Sequence, residues 1–187
     1  VNLAVFIDSK ILFSLIDEGN TSLKSPGFES IVSLINNLKG LGFLIIVISH
    51  YKYRVSSLEM QIRHNNEVKL LKNVFNVDFI LTCPHDNDDD CYCRKPRPGL
   101  VYEAAHRWDI DLSHSFVIGD SWEDAKLAES AGCFSVLIQS SRIVRCHRDI
   151  LVTDLESAFS MVMKVSGLFM KTKVKPQLPL TSQKLEC

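Results

Sequence analysis

The feature that most constrains the fold is an alternation of short, wholly apolar runs with segments of helical spacing. Leu3 to Ile7 is the first run and ends at Asp8. Phe43 to Ile48 ends at Ser49 and His50, and Phe79 to Thr82 leads into a loop rich in Cys and Asp. Phe116 to Ile118 ends at Gly119 and Asp120, and Phe134 to Ile138 is the fifth. Runs of this kind read as strands buried on both faces. After Ser25-Pro26-Gly27, which reads as a cap followed by proline in a first helical turn, Phe28, Ile31, Ile35 and Leu38 recur at helical spacing, and Gly42 closes that element. Ser56 to Phe75 reads as a polar helix, and Gly99 to Trp108 and Trp122 to Ala131 as two more. Thr153-Asp154-Leu155-Glu156 has the spacing of a capping box and opens a last helix. Strands separated by helices need right-handed crossovers, so the expected fold is α/β: a central parallel sheet flanked by helices on both faces.

A chain of 187 residues, 46% hydrophobic and 23% charged, suits one domain with a genuine core. That domain is expected over residues 1–165. Lys171, Lys173 and Lys175, with Pro176 and Pro179, break the periodicity, so residues 166–187 are expected to form an extended tail. Its leucines at 178, 180 and 185 offer a contact for a protein partner. A net charge of −1 shows no basic excess of the kind a nucleic-acid-binding domain carries. No apolar run is long enough to span a bilayer, and no leader-like pattern opens the chain. A soluble, cytoplasmic protein without nucleic-acid or membrane partners is the expectation. Three of the six cysteines lie within eleven residues, while Cys133 and Cys146 are isolated and Cys187 is terminal. That usage fits a reducing compartment better than a disulfide scaffold.

The clustered cysteines carry chemistry. Cys83, His85, Cys91 and Cys93 supply three thiolates and an imidazole, the complete ligand set of a closed tetrahedral zinc site, and the loop 83–93 is short enough to wrap one ion. With no position left for water, the zinc is expected to be structural. The clamp runs directly into Arg94-Lys95-Pro96-Arg97-Pro98-Gly99, a cationic turn. In an open parallel sheet, ligands bind beyond the carboxyl ends of the strands. Asp8, Ser49 and Asp120 each follow a strand directly, and Lys95 follows another through the clamp. Four useful groups are thus brought to one edge.

Asp8, Ser49, Lys95 in Cys-Arg-Lys-Pro-Arg-Pro-Gly, and Gly119-Asp120-Ser121-Trp122-Glu123-Asp124 resemble the four motifs of the haloacid dehalogenase (HAD) superfamily. The Cys-Pro-His clamp followed by Cys-x-Cys-Arg-Lys-Pro is similar to the branch of the D,D-heptose bisphosphate and histidinol phosphatases. The resemblance runs from about Leu3 to Ile138. It implies a Rossmann-like HAD fold with no large cap domain and a small phosphorylated sugar as substrate. By that resemblance Asp8 is the nucleophile that forms an aspartyl-phosphate, and Ser49 bonds a phosphoryl oxygen. Lys95 neutralises the transferring group, and Asp8, Asp120 and Asp124 hold magnesium. His50, Arg94 and Arg97 are the candidate substrate contacts.

The first motif departs from the pattern. Lys10 stands where the family has the acid–base Asp, and Ile11 where it has Gly. The missing carboxylate would otherwise protonate the leaving oxygen and accept a proton from the hydrolytic water. A lysine with an ordinary pKa of about 10.4 is poorly suited to the second task. Its ammonium could also pair with Asp8. A β-branched residue in place of glycine is expected to reshape the turn after the first strand. After the second strand, Ser49-His50-Tyr51-Lys52-Tyr53 replaces the family's Thr-Asn-Gln-Ser-Gly. Two functions are compatible with these residues: a magnesium-dependent phosphatase impaired by Lys10, and an inactive relative that binds a phosphometabolite or a protein.

Overall fold

In a computed structural model of the protein, the described residues are 1–16, 27–50, 58–143 and 146–172. The expected cap at Ser25-Pro26, the segment Tyr51-Lys52-Tyr53 and the tail from residue 173 onward lie outside them.

Six parallel strands form one sheet: β1 (Leu3–Asp8), β2 (Phe43–His50), β3 (Phe79–Cys83), β4 (Phe116–Gly119), β5 (Phe134–Ile138) and β6 (Ile150–Val152), in the order β3-β2-β1-β4-β5-β6. The helices are α1 (Ser9–Phe13), α2 (Phe28–Gly40), α3 (Leu58–Phe75), α4 (Gly99–Trp108), α5 (Trp122–Ala131) and α6 (Leu155–Thr172). β1 is central, with Val5 level with Ile45 of β2 and with Phe116 of β4.

The two-residue period of a strand divides the core. Val5 and Ile7 face one layer with Ile35, Phe43, Phe75 and Phe159, which α2, α3 and α6 help to cover. Ala4 and Phe6 face the other with Val101, Ala104, Leu127 and Ala128, contributed by α4 and α5. Both faces of the sheet are therefore covered, which is why its strands read as unbroken apolar runs.

Four local features add to or depart from the sequence reading. β6 has no separate signal in the sequence: it is three residues long and follows Arg148-Asp149. It forms by pairing with β5, where Ser135 N and Oγ both donate to Asp149 Oδ2, at 2.8 and 2.9 Å. The last helix continues to Thr172, so residues 166–172 are helical and not part of an extended tail. Its capping residue is Asp154, whose Oδ1 accepts from Ser157 N at 2.7 Å, while Glu156 accepts from Ser30 Oγ on α2 at 2.9 Å. The fourth feature is the turn after β1. The chain enters α1 directly, with Asp8 as its cap and Ile11 buried in the core. Ile11 thus sits in ordinary right-handed backbone, and its side chain anchors the turn.

Candidate active site

All the strands run the same way, so the residues that follow β1, β2, β3 and β4 emerge at one edge. There they line a cavity of about 240 Å³ that includes Asp8, Lys10, Ser49, His50, Arg94 and Lys95. Asp8 is buried at the end of β1, level with Ile48. One carboxylate oxygen, Oδ1, accepts from Lys10 N at 3.0 Å. The other, Oδ2, accepts from Lys95 Nζ at 2.6 Å. The same ammonium lies 2.6 Å from Asp124 Oδ1. The Asp8 ion pair therefore comes from Lys95; the Lys10 side chain is exposed and makes no ion pair among the described residues.

Electrostatics follow from burial and partners. Burial pushes the Asp124 carboxyl above the usual carboxylate range, against the pull of Lys95. Burial disfavours the charge on Lys95, but Asp124 and Asp8 together hold its ammonium above the ordinary lysine range. Asp124 is further fixed by Ser121, whose N and Oγ both donate to its Oδ2, at 3.2 and 2.5 Å, in the first turn of α5. This close approach requires Gly119: a Cβ there would lie 2.1 Å from Asp124 Cβ.

Asp120, expected as a metal ligand, has Oδ2 paired with the Arg142 guanidinium and Oδ1 buried without a hydrogen-bond partner. Ligand oxygens of Asp8, Asp120 and Asp124 lie within 4.8 Å of one another. A buried acceptor with no donor beside two further carboxylates is the donor set that suits a hard cation such as magnesium.

Cys83, His85, Cys91 and Cys93 come together as a second cluster. Cys83 Sγ is 3.7 Å from Cys91 Sγ and 3.4 Å from Cys93 Sγ, and His85 Nδ1 is 3.1 Å from Cys93 Sγ. Separations of this size are the edges of a tetrahedron around an ion with bonds of about 2.0–2.3 Å. The cluster is therefore compatible with zinc. Burial, reinforced by its two thiol neighbours, pushes the Cys93 thiol up to about 12. Cys83 and Cys93 also line the main cavity, so clamp and pocket share a wall. His50 ties them together, its Nε2 lying 2.7 Å from the His85 carbonyl.

Of the expected substrate contacts, His50 and Arg94 line this cavity, and Arg94 Nη1 is buried without a partner. Arg97 does not join them. It pairs with Asp90, donates to the Cys91 carbonyl at 2.6 Å, and lines a smaller adjoining cavity. Sequence reasoning missed Ser9, whose hydroxyl donates to Ser49 Oγ at 3.3 Å, and Arg142, which lines the main cavity. A serine beside Asp8 was a readable signal. Arg142 lies in the loop after β5, to which no motif pointed.

Among the described residues, no helix is long and apolar enough to cross a membrane. A family model described as HAD-hydrolase-like matches residues 92–147. The D-glycero-beta-D-manno-heptose-1,7-bisphosphate 7-phosphatase of Helicobacter pylori is 33% identical over 132 residues, covering 66% of this chain and 75% of that protein. The enzyme of the same name from Bordetella bronchiseptica is 47% identical over 64 residues, 34% of this chain and 36% of that one. The crystal structure of the Bordetella D,D-heptose 1,7-bisphosphate phosphatase, complexed with magnesium and phosphate, superposes with a TM-score of 0.62. It does so at 20% identity, over 87% of this chain and 98% of the other. Parallel sheet, clamp, lysine turn and relatives agree, and the chain belongs to the heptose bisphosphate phosphatase branch of the HAD superfamily.

Proposed function

We propose that the protein is a magnesium-dependent phosphatase of small phosphorylated sugars, acting through an aspartyl-phosphate at Asp8 and slowed by Lys10. The supporting observation is the buried Asp8 carboxylate on the cavity, with Lys95 held between it and Asp124 at 2.6 Å from each. Asp8 attacks phosphorus as the ester oxygen departs. Lys95 neutralises charge on the group in transit, and Ser49, with Ser9 beside it, donates to a phosphoryl oxygen. His50 contacts the rest of the substrate, and Arg94 a phosphate oxygen. Magnesium held by Asp8, Asp120 and Asp124 lets an anionic carboxylate approach an anionic phosphate. The zinc of the clamp is structural: fixing Cys93 fixes Lys95 two residues later.

Lysine at position 10 brings no carboxylate to take the proton of the attacking water. Loss of one acid–base group removes roughly 10² to 10⁴ of rate. The same residue favours a second reading, in which the cavity binds a phosphometabolite without hydrolysing it. Phosphate release from a panel of sugar phosphates with magnesium separates the two, comparing the protein with Lys10→Asp and with Asp8→Asn. Slow release that rises with Lys10→Asp and vanishes with Asp8→Asn is the expected result. Release in Lys10→Asp alone shows a site silenced at position 10 and favours the second reading, and release in none of the three rejects the phosphatase site.

A further inference from the structure

The cavity holds positive charge that its carboxylates do not use. Lys95 is paired with Asp8 and Asp124, and Arg142 with Asp120. Two further cations line the same space. The buried Arg94 Nη1 has no hydrogen-bond partner, and the Lys10 ammonium has no ion pair among the described residues. Among the described residues, Glu123 is the one further carboxylate on the lining. Among the described residues, four cations thus stand against four carboxylates. A carboxylate at position 10 would shift this balance by two negative charges, the amount that one divalent cation neutralises. In this chain the lysine supplies that compensation through the protein itself.

A dianion entering a site with two excess negative charges is repelled unless a metal precedes it. A dianion entering this cavity meets, among the described residues, as many cations as carboxylates, and two donors without an ion pair, one of them the Arg94 guanidinium, whose buried Nη1 lacks a partner and whose geometry suits phosphate oxygens. We propose that the cavity binds phosphate monoester dianions in the absence of divalent metal, with Lys10 and Arg94 as the anion contacts. The inference rests on the phosphate site proposed above, but not on its turnover.

Calorimetric titration of the zinc-loaded protein with inorganic phosphate tests it. The buffer is freed of magnesium over a chelating resin and then restored to millimolar magnesium; the resin treatment is confined to the buffer so that the clamp stays loaded. Binding without magnesium within roughly tenfold of that with it is expected. Lys10→Met, at an exposed position, should weaken metal-free binding roughly tenfold or more without changing the melting temperature. Lys10→Asp should bind phosphate only when magnesium is present. Binding by the unaltered protein only with magnesium overturns the inference and leaves the phosphatase reading standing. Metal-free binding unchanged in Lys10→Met removes Lys10 from the site and also overturns it. No binding in either buffer rejects the phosphate site itself.

Discussion

At the scale of single residues, the candidate site depends on space as much as on charge. Gly119 has no Cβ because Asp124 fills the position one would take. Gly119→Ala is expected to push Asp124 off Lys95 and Ser121, costing about 1–3 kcal/mol in urea unfolding and weakening magnesium binding in a calorimetric titration. An unchanged magnesium affinity would show that Asp124 tolerates the shift. Asp8, Ser49, Lys95, Asp120 and Asp124 were legible in the sequence because each follows a strand end or a recognisable turn. The partner of Asp8 was not. Position 10 is two residues from Asp8, yet the ammonium that reaches it comes from Lys95, 87 residues away, because the clamp loop folds back over the strand ends. Arg97 was placed elsewhere for a related reason: Asp90 holds it beside a smaller adjoining cavity.

At the scale of elements, helix ends show what pattern alone misses. The spacing around Thr153 located the start of α6 to within one residue, but Asp154 outcompetes Thr153 as the cap because its carboxylate reaches the Ser157 N–H. Asp154→Ala is expected to cost about 1 kcal/mol by urea denaturation at neutral pH. Thr153 and Ser157 hold the Asp154 carboxyl below its usual value of 3.8. A depressed carboxyl stabilises the fold above its unfolded pKa and loses that contribution as pH falls through the lower folded value. The difference between the two proteins should therefore be full above about pH 5 and shrink below pH 3.8. An effect that persists unchanged in acid would mean that the carboxylate is not the cap. The short α1 carries a complementary lesson. Ile11 looked like damage to a turn, yet its burial makes it part of the core, so Ile11→Gly should destabilise the protein and not restore a better site. Substitutions of this kind in a helix interior cost a few kcal/mol, measurable in the same urea titration.

At the scale of the whole molecule, the Cys/His clamp and the sheet are one mechanical unit, since Cys83 ends β3 and Cys93 precedes Lys95 by two residues. Removing zinc with a strong chelator, or Cys91→Ser, should lower the melting temperature by roughly 10 °C or more, several kcal/mol for a domain of this size. A melting curve indifferent to chelator would show that the cluster holds no structural ion. The layered fold was readable because burial on both faces leaves apolar runs that no polar position interrupts; β6 was not, since its existence depends on an edge supplied by β5. The strand order has a temporal consequence. β1 is made first and gains β2 on one side, with Leu3 beside Phe43, but its other neighbour, Phe116 opposite Val5, emerges 111 residues after it. For that interval one side of the central strand is an open edge able to pair with another chain. Pairing across so long a separation slows folding, and the clamp at residues 83–93 is complete before β4 appears. Zinc supplied during synthesis would then order the first half of the sheet while it waits, so metal starvation should show first as aggregated nascent chains.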